Sequence, residues 1–297
     1  MSNIITLKPD VPKPISDQIL EKLAFPVIEM PVYTATLDQQ VVQVPNHKSI
    51  IRSDTGKPLS IVSSGYGVVP YADTIEPLSA IINEMGFEPK KLWLKDDGAA
   101  MKLEAHASEM IEINGDDHTP VLWIDNSYDR TSSLSVKFGY YRLVCSNGMV
   151  VPEFLGGSLI LKMKHTKNAS IRYENWADQL HMADDILPRF KARLQAIHKP
   201  IDDHIAKQIL AKIFGADDEN PMDNKNVVLS FDRARHGKGQ NISDRQPITG
   251  WNLYNGVTET ISTYIDTRKD ETKTFTAMKN GHGKIERAFE IIHSQVA

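Results

Sequence analysis

Residues 133–151 alternate in a way that no helix can use. Leu134, Val136, Phe138 and Tyr140 fall on one side, and Ser133, Ser135, Lys137 and Gly139 on the other. A period of two is the signature of a strand with one buried and one wetter face. The stretch then runs through Arg142 and Cys145 to Asn147-Gly148, a turn signal. A chain organised around such a strand needs neighbours to pair with and a layer to cover its apolar face.

Both are supplied upstream. Val121–Asn126 and Ser132–Val144 predict a hairpin across Ser127-Tyr128-Asp129-Arg130, and Lys91–Lys95 and Ala99–Ala107 another across Asp96-Asp97-Gly98. A helix capped by Asp73 or Thr74 and stopped by Gly86 puts Ile75, Leu78, Ile81, Ile82 and Met85 on one face, suited to cover the sheet. Short strands are expected at Val32–Thr36, Gln40–Val44, Ser49–Arg52 and Leu59–Val62, with Asp54-Thr55-Gly56-Lys57-Pro58 as a hairpin turn. Pro9, Pro12, Pro14 and Pro26 make residues 1–30 an extended arm with one short helix at Ser16–Leu23. Gly65 and Gly67 around Tyr66 predict a bend or a close backbone approach. A phosphate-cradling loop would need Gly-Lys-Ser/Thr or further glycines, which do not follow.

Beyond residue 170 the period changes. Trp176, Leu180, Ala183, Leu187, Phe190, Leu194 and Ile197 form a heptad-like seam interrupted by Pro188, which predicts a kink or a boundary. The seam suits packing on its own domain or on another subunit, so a homo-oligomer is compatible with it. Further helices are expected at Ile201–Phe214, at Val227–Ala234, around Trp251 to Tyr264, and at Lys284–Val296 after Asn280-Gly281-His282-Gly283. The expected fold is α+β: an antiparallel meander with a covering helix, then a helical C-terminal region. The division is an arm at 1–30, a β-rich domain at 31–170, and a helical region at 171–297 packed on it.

Few function classes survive. A net charge of −4 removes a global electrostatic case for nucleic acid, so any such surface is local. One cysteine excludes an internal disulfide and a multi-cysteine metal cluster, and fits a reducing cytoplasm. The first residues lack the apolar core of a signal peptide, and no apolar run approaches the ~20 residues of a bilayer span, so no membrane partner is expected. Asp116, Asp117 and His118, with Asp125 and Asp129 nearby, suit polar turn residues better than a hard-cation site, and no cofactor or metal is assigned. His181 and Asp185 suit a solvated helix face. Cys145 reads as a small buried hydrophobe, and no catalytic residue is assigned.

Local basic charge is the remaining signal. Lys162, Lys164, His165, Lys167 and Arg172 lie in a stretch free of acids between Glu153 and Glu174, and Arg233, Arg235 and Lys238 (with Arg245) in a second. Phosphate binding needs such clusters, and Tyr66, Tyr71, Tyr140 and Tyr141 are candidates to stack on bases. The expectation is a non-enzymatic protein that binds nucleic acid, single-stranded more than duplex, in replication, recombination or DNA protection. The alternative is a protein-binding factor, either a host-takeover or anti-defence protein or a minor structural one.

Three segments carry a family resemblance: Leu59–Tyr71, Tyr141–Met149 and Gly250–Thr260. Together they resemble domain-of-unknown-function family nine-three-two, found in phages, prophages and plasmids. The matched residues are Gly65 and Tyr66, then Arg142, Cys145 and Asn147, then Trp251, Asn255, Val257, Thr258 and Glu259. Gly256 stands where the pattern usually has alanine, a change worth about 1 kcal/mol of helix propensity. The resemblance implies a mobile-element protein of a bacterial cytoplasm and brings no established activity. It suggests a structural clasp, in which Arg142 pairs with Glu259, Asn255 caps buried backbone, and Cys145 packs beneath.

Overall fold

The structure is a computed structural model. It describes residues 3–6, 21–75, 82, 86–113, 116–146, 149–166, 186–266 and 271–297, with side chains excepted at 3–6, 113, 116, 142–146, 149–161, 186–190, 264–266, 271–279 and 282. Two compact units divide the chain, and neither is one continuous stretch. The first takes residues 1–108, 121–138 and 159–183, the second 109–120, 139–158 and 184–297.

Twelve strands are described. In chain order they are β1 (Asn3–Thr6), β2 (Val27–Ala35), β3 (Val41–Arg52), β4 (Lys57–Ser63), β5 (Phe87–Lys95) and β6 (Ala100–Ala107). Then come β7 (Ile111–Ile113), β8 (Asp116–Ser127), β9 (Leu134–Ser146), β10 (Met149–Met163), β11 (Pro200–Ile201) and β12 (Ile248–Thr249). One sheet follows the path β1-β5-β6-β8-β9-β10, with β7 beside β8. A second, three-stranded sheet has the order β2-β3-β4. The fold is α+β, as the alternation at Leu134 to Tyr140 predicts: those four residues are at most 1% exposed.

The Asp96-Asp97-Gly98 turn joins β5 to β6, and its glycine is required. Gly98 has φ +104, and a Cβ there would lie 2.5 Å from Phe25 Cζ. That ring edges onto Tyr71 and Tyr128, which stack on each other at 4.3 Å. Tyr71 donates its hydroxyl to Gly98 O, and its amide donates to Tyr128 Oη. A tight turn, an aromatic stack and a helix start are thereby one packed unit.

Several boundaries differ from expectation. Helical structure begins at Tyr71, ahead of Asp73, and Thr74 lies in its first turn with its hydroxyl on Pro70 O. The strands expected at Gln40–Val44 and Ser49–Arg52 are one strand, β3. Pro45 is tolerated because β4 pairs with β3 only from His47 onward, so no ladder bond is needed there. Asp116, Asp117 and His118 are not a turn. They form the start of β8 and pair with Ile113, Glu112 and Ile111 of β7. The short β7 supplies the partners that the polar letters concealed. Asn3–Thr6 of the expected arm pairs with β5. The rest of residues 1–20, most of the Ser16–Leu23 helix, the Asn147-Gly148 turn, His181, Asp185 and the seam from Trp176 to Ala183 lie outside the described residues.

The second unit carries five described helices: α1 (Ile186–Ala196), α2 (Asp203–Phe214), α3 (Lys225–His236), α4 (Gly250–Asp266) and α5 (Glu271–Val296). α2 is capped by the Asp202 carboxylate on the His204 amide and ends at Gly215, φ +65. α5 runs straight through Asn280-Gly281-His282-Gly283, which the sequence reading treats as a break. Two helical glycines weaken a helix by only about 1 kcal/mol each. Burial of Ile285, Ala288, Phe289 and Ile292 outweighs that, at roughly 1.5–3 kcal/mol per large apolar side chain.

Candidate functional site

In the first unit, the Gly65-Tyr66-Gly67 bend meets the end of β10. Tyr66 forms a bridge with Thr166, and Gly67 N donates to His165 O at 3.3 Å. The His165 Nδ1–H donates back to Gly67 O at 3.2 Å, and the ring stacks on Tyr66 at 4.9 Å. Tyr66 donates its hydroxyl to Ser127 O at 2.6 Å. The amides of Tyr66 and Gly67 are thus engaged by Ser63 O and His165 O, which leaves no cradle for a phosphate. Burial holds the Tyr66 phenol well above its ordinary value and the His165 imidazole below its own. Nε2 of His165 is buried and meets no partner among the described residues.

This bend fixes the strand that presents Lys162 and Lys164. Both are exposed, stand two residues apart on either side of buried Met163, and carry no ion pair among the described residues. Lys167 and Arg172 of the same stretch lie outside the described residues. The tyrosines expected to stack on bases do not face solvent: Tyr66 is 7% exposed, Tyr71 and Tyr140 0%, and Tyr141 8%. Base stacking by these four residues is therefore corrected. Tyr140 and Tyr141 lie in β9, Tyr66 in the Gly65–Gly67 bend and Tyr71 at a helix start.

The second basic segment lies in the second unit, and its arginines are engaged. Arg235 is 4% exposed. It makes two bonds to the Asp203 carboxylate, at 2.6 and 2.7 Å, and donates to Ser243 O and Gln246 O. It ties α3 to α2 and to the 243–246 turn, which removes it from the predicted phosphate contacts. Arg233 lies 3.6 Å from Glu259, whose carboxylate also accepts the Lys238 amide at 2.9 Å. The Arg142 side chain of the expected clasp, like those of Cys145 and Asn147, lies outside the described residues. Asn255 caps nothing: it is 3% exposed, and neither amide atom has a partner among the described residues. Trp251, one turn earlier on α4, is flanked by the rings of His198 at 5.1 Å and His118 at 5.6 Å.

Sequence reading missed Glu104. It is 0% exposed and accepts Trp123 Nε1 at 3.0 Å, with Lys91 Nζ at 3.4 Å and His106 Nε2 at 2.8 Å. Lys91, Glu104 and Trp123 stand directly opposite one another across β5, β6 and β8. Nearby, Asp125 is held by Lys102 and Asp129 by Lys95. The signal was available only once register was known. No three metal-ligating residues come together among the described residues.

The family of the domain of unknown function DUF932 matches residues 58–280, most of the chain. The chain belongs to the DUF932 family. No curated protein and no solved structure matches it. Within the matched span of this DUF932 chain lie the Gly65–Gly67 bend, Lys162 and Lys164, and α4. β2 and β3 precede it. Among the described residues no helix is long and apolar enough to cross a membrane.

Proposed function

We propose that this chain is a non-enzymatic protein of mobile genetic elements, acting in a bacterial cytoplasm, that binds nucleic acid through its phosphate backbone. The observation behind this is the pair Lys162 and Lys164. They stand exposed at the end of β10, with no ion pair among the described residues, on a strand held in place by the Tyr66–His165 stack. Elsewhere in the first unit Lys48, Lys57, Lys90, Lys91, Lys95 and Lys102 are each matched to a carboxylate. These two lysines, with Lys167 and Arg172 close behind in sequence, supply local positive charge on an acidic molecule. With the four tyrosines buried, the contact is to phosphate rather than to bases, and it favours neither single strand nor duplex.

Fluorescence anisotropy with labelled single-stranded and duplex oligonucleotides tests this across salt concentrations. Saturable binding is expected to weaken with salt. Lys162→Ala/Lys164→Ala is expected to reduce the salt slope by about 2, near one count per lost phosphate contact. Full binding in that variant, or none in the parent protein at micromolar concentration, would sink the reading. A protein-binding role is the second reading, favoured by the exposed apolar side chains of β2, β3 and β4.

A further inference from the structure

Seven large apolar side chains stand exposed on the three-stranded sheet: Ile28, Met30, Tyr33, Leu37, Val41, Val42 and Ile61. They fall in two places. Met30 and Ile61 flank Ser49 in register across β2, β3 and β4, with Ile28 beside them opposite Ile51. That is one face of the sheet; the opposite face buries Ile50 and Val62. Beyond it β2 and β3 continue without β4. Tyr33 pairs with Gln43, Thr34 with Val42 and Ala35 with Val41. This is a two-stranded ribbon, turned at Leu37 and Asp38, with both long edges unpaired by the described strands.

Such a ribbon is an unusual thing to leave in water. A hairpin alone is marginally stable. Natural edges are blunted with charge or proline, and here Pro31 and Pro45 sit only at the base. Residues 31–46 hold a single charged side chain, Asp38, in a chain that is 24% charged. A ribbon with one charged side chain, and with Tyr33, Leu37, Val41 and Val42 exposed, offers little to a polyanion or to an acidic or basic peptide. What it matches is another uncharged apolar surface, and the molecule carries one: the face of Ile28, Met30 and Ile61.

We propose that the β2–β3 ribbon and this sheet face form a two-fold interface between two copies of the chain, each ribbon seated on the other copy's sheet. The arrangement is self-complementary, as a two-fold contact must be, and brings no block of like charges together. Eighteen of the twenty residues 28–47 are exposed, on both faces of the strands, so the contact is a small one beside the about 20–30 residues per side of a standard interface. β2 and β3 precede residues 58–280, and only Ile61 of the face lies within them, so the ribbon is argued from this chain and not from its family.

Sedimentation equilibrium of the full chain tests it. The chain is expected at twice its own mass at about 10 μM, a concentration where any Kd of 1 μM or tighter gives mostly dimer. Tyr33→Ser/Leu37→Ser/Val41→Ser leaves net charge unchanged and alters side chains the single chain already exposes. It is expected at single mass, with the same urea midpoint as the parent when both are diluted below dissociation. Three outcomes overturn the proposal: a parent of single mass throughout the micromolar range, a dimer that persists in the variant, or a parent of single mass that captures a different protein. Loss of nucleic-acid binding in Lys162→Ala/Lys164→Ala leaves this mass unchanged, so the two readings fail separately.

Discussion

His165 is held neutral by its surroundings. With Gly67 O as its acceptor, Nδ1 carries the ring proton, and the buried Nε2 lone pair meets no donor among the described residues. A second proton at Nε2 would create a buried charge with no acceptor, so burial holds this imidazole below its usual range. The unfolded chain has no such restraint and takes up the proton at about 6.5. Below that pH the unfolded state binds more protons than the native one. The stability contributed by neutral His165 is therefore complete above the unfolded value and lost as pH falls through the folded one. Urea midpoints are expected to drop between about pH 7.5 and 5.5, and His165→Gln to flatten that drop. The His293 imidazole, also lowered by burial, supplies a remainder. The carboxyl groups of Asp54, Glu88 and Asp97, lowered by Arg52, Lys90 and Lys57, act at more acid pH. An unaltered drop in the glutamine variant would remove His165 from the account.

At the scale of elements, two glycines in helices test packing against propensity. A Cβ on Gly256 of α4 would lie 2.2 Å from Ser230 O and 2.7 Å from Ala234 N of α3. The two helices touch there, and Ser230 Oγ donates to Thr260 Oγ1 across the same seam. Alanine gains about 1 kcal/mol of propensity but forces two backbones apart, and overpacking of this kind costs about 3 kcal/mol or more. Gly283 of α5 is exposed, with nothing within 4 Å of an added Cβ. The same substitution thus has opposite expected signs: Gly256→Ala destabilises by roughly 2 kcal/mol net and Gly283→Ala stabilises by up to about 1 kcal/mol. Denaturant melts of both variants read this directly; stabilisation by Gly256→Ala would mean that α3 and α4 do not meet at this residue. The pair also marks what was legible. Alternation at Leu134–Tyr140 was readable because it is a local pattern. Helix propensity alone makes glycine at 256 a defect, and only the approach of α3 makes it a requirement. Likewise Asp116–His118 read as a turn because the short β7 that pairs with them carries little signal of its own. The burial of Arg235 rests on Asp203, thirty-two residues away, and no spacing rule reaches that far.

For the whole molecule, charge and apolar surface make opposite demands on solution conditions. The chain carries −4 overall, so a polyanion is attracted only at short range, where Lys162 and Lys164 outweigh the mean. Salt screens such a contact and removes the entropy of counterion release. The ribbon and its sheet face contain almost no charge, so added salt leaves their association unchanged or strengthens it, most of all with sulfate. One titration from about 50 to 500 mM salt therefore separates the two surfaces: nucleic-acid affinity falls by orders of magnitude, while sedimentation continues to report the dimer. If both fall together, the copies are joined by charged groups and the apolar ribbon is not their contact. If affinity holds steady while the dimer persists, the two lysines are not the phosphate site. The serine variant extends the comparison, because its charge is that of the parent. It is expected to keep the salt slope of nucleic-acid binding while losing the dimer, which places the phosphate contact and the self-contact on different side chains of one molecule.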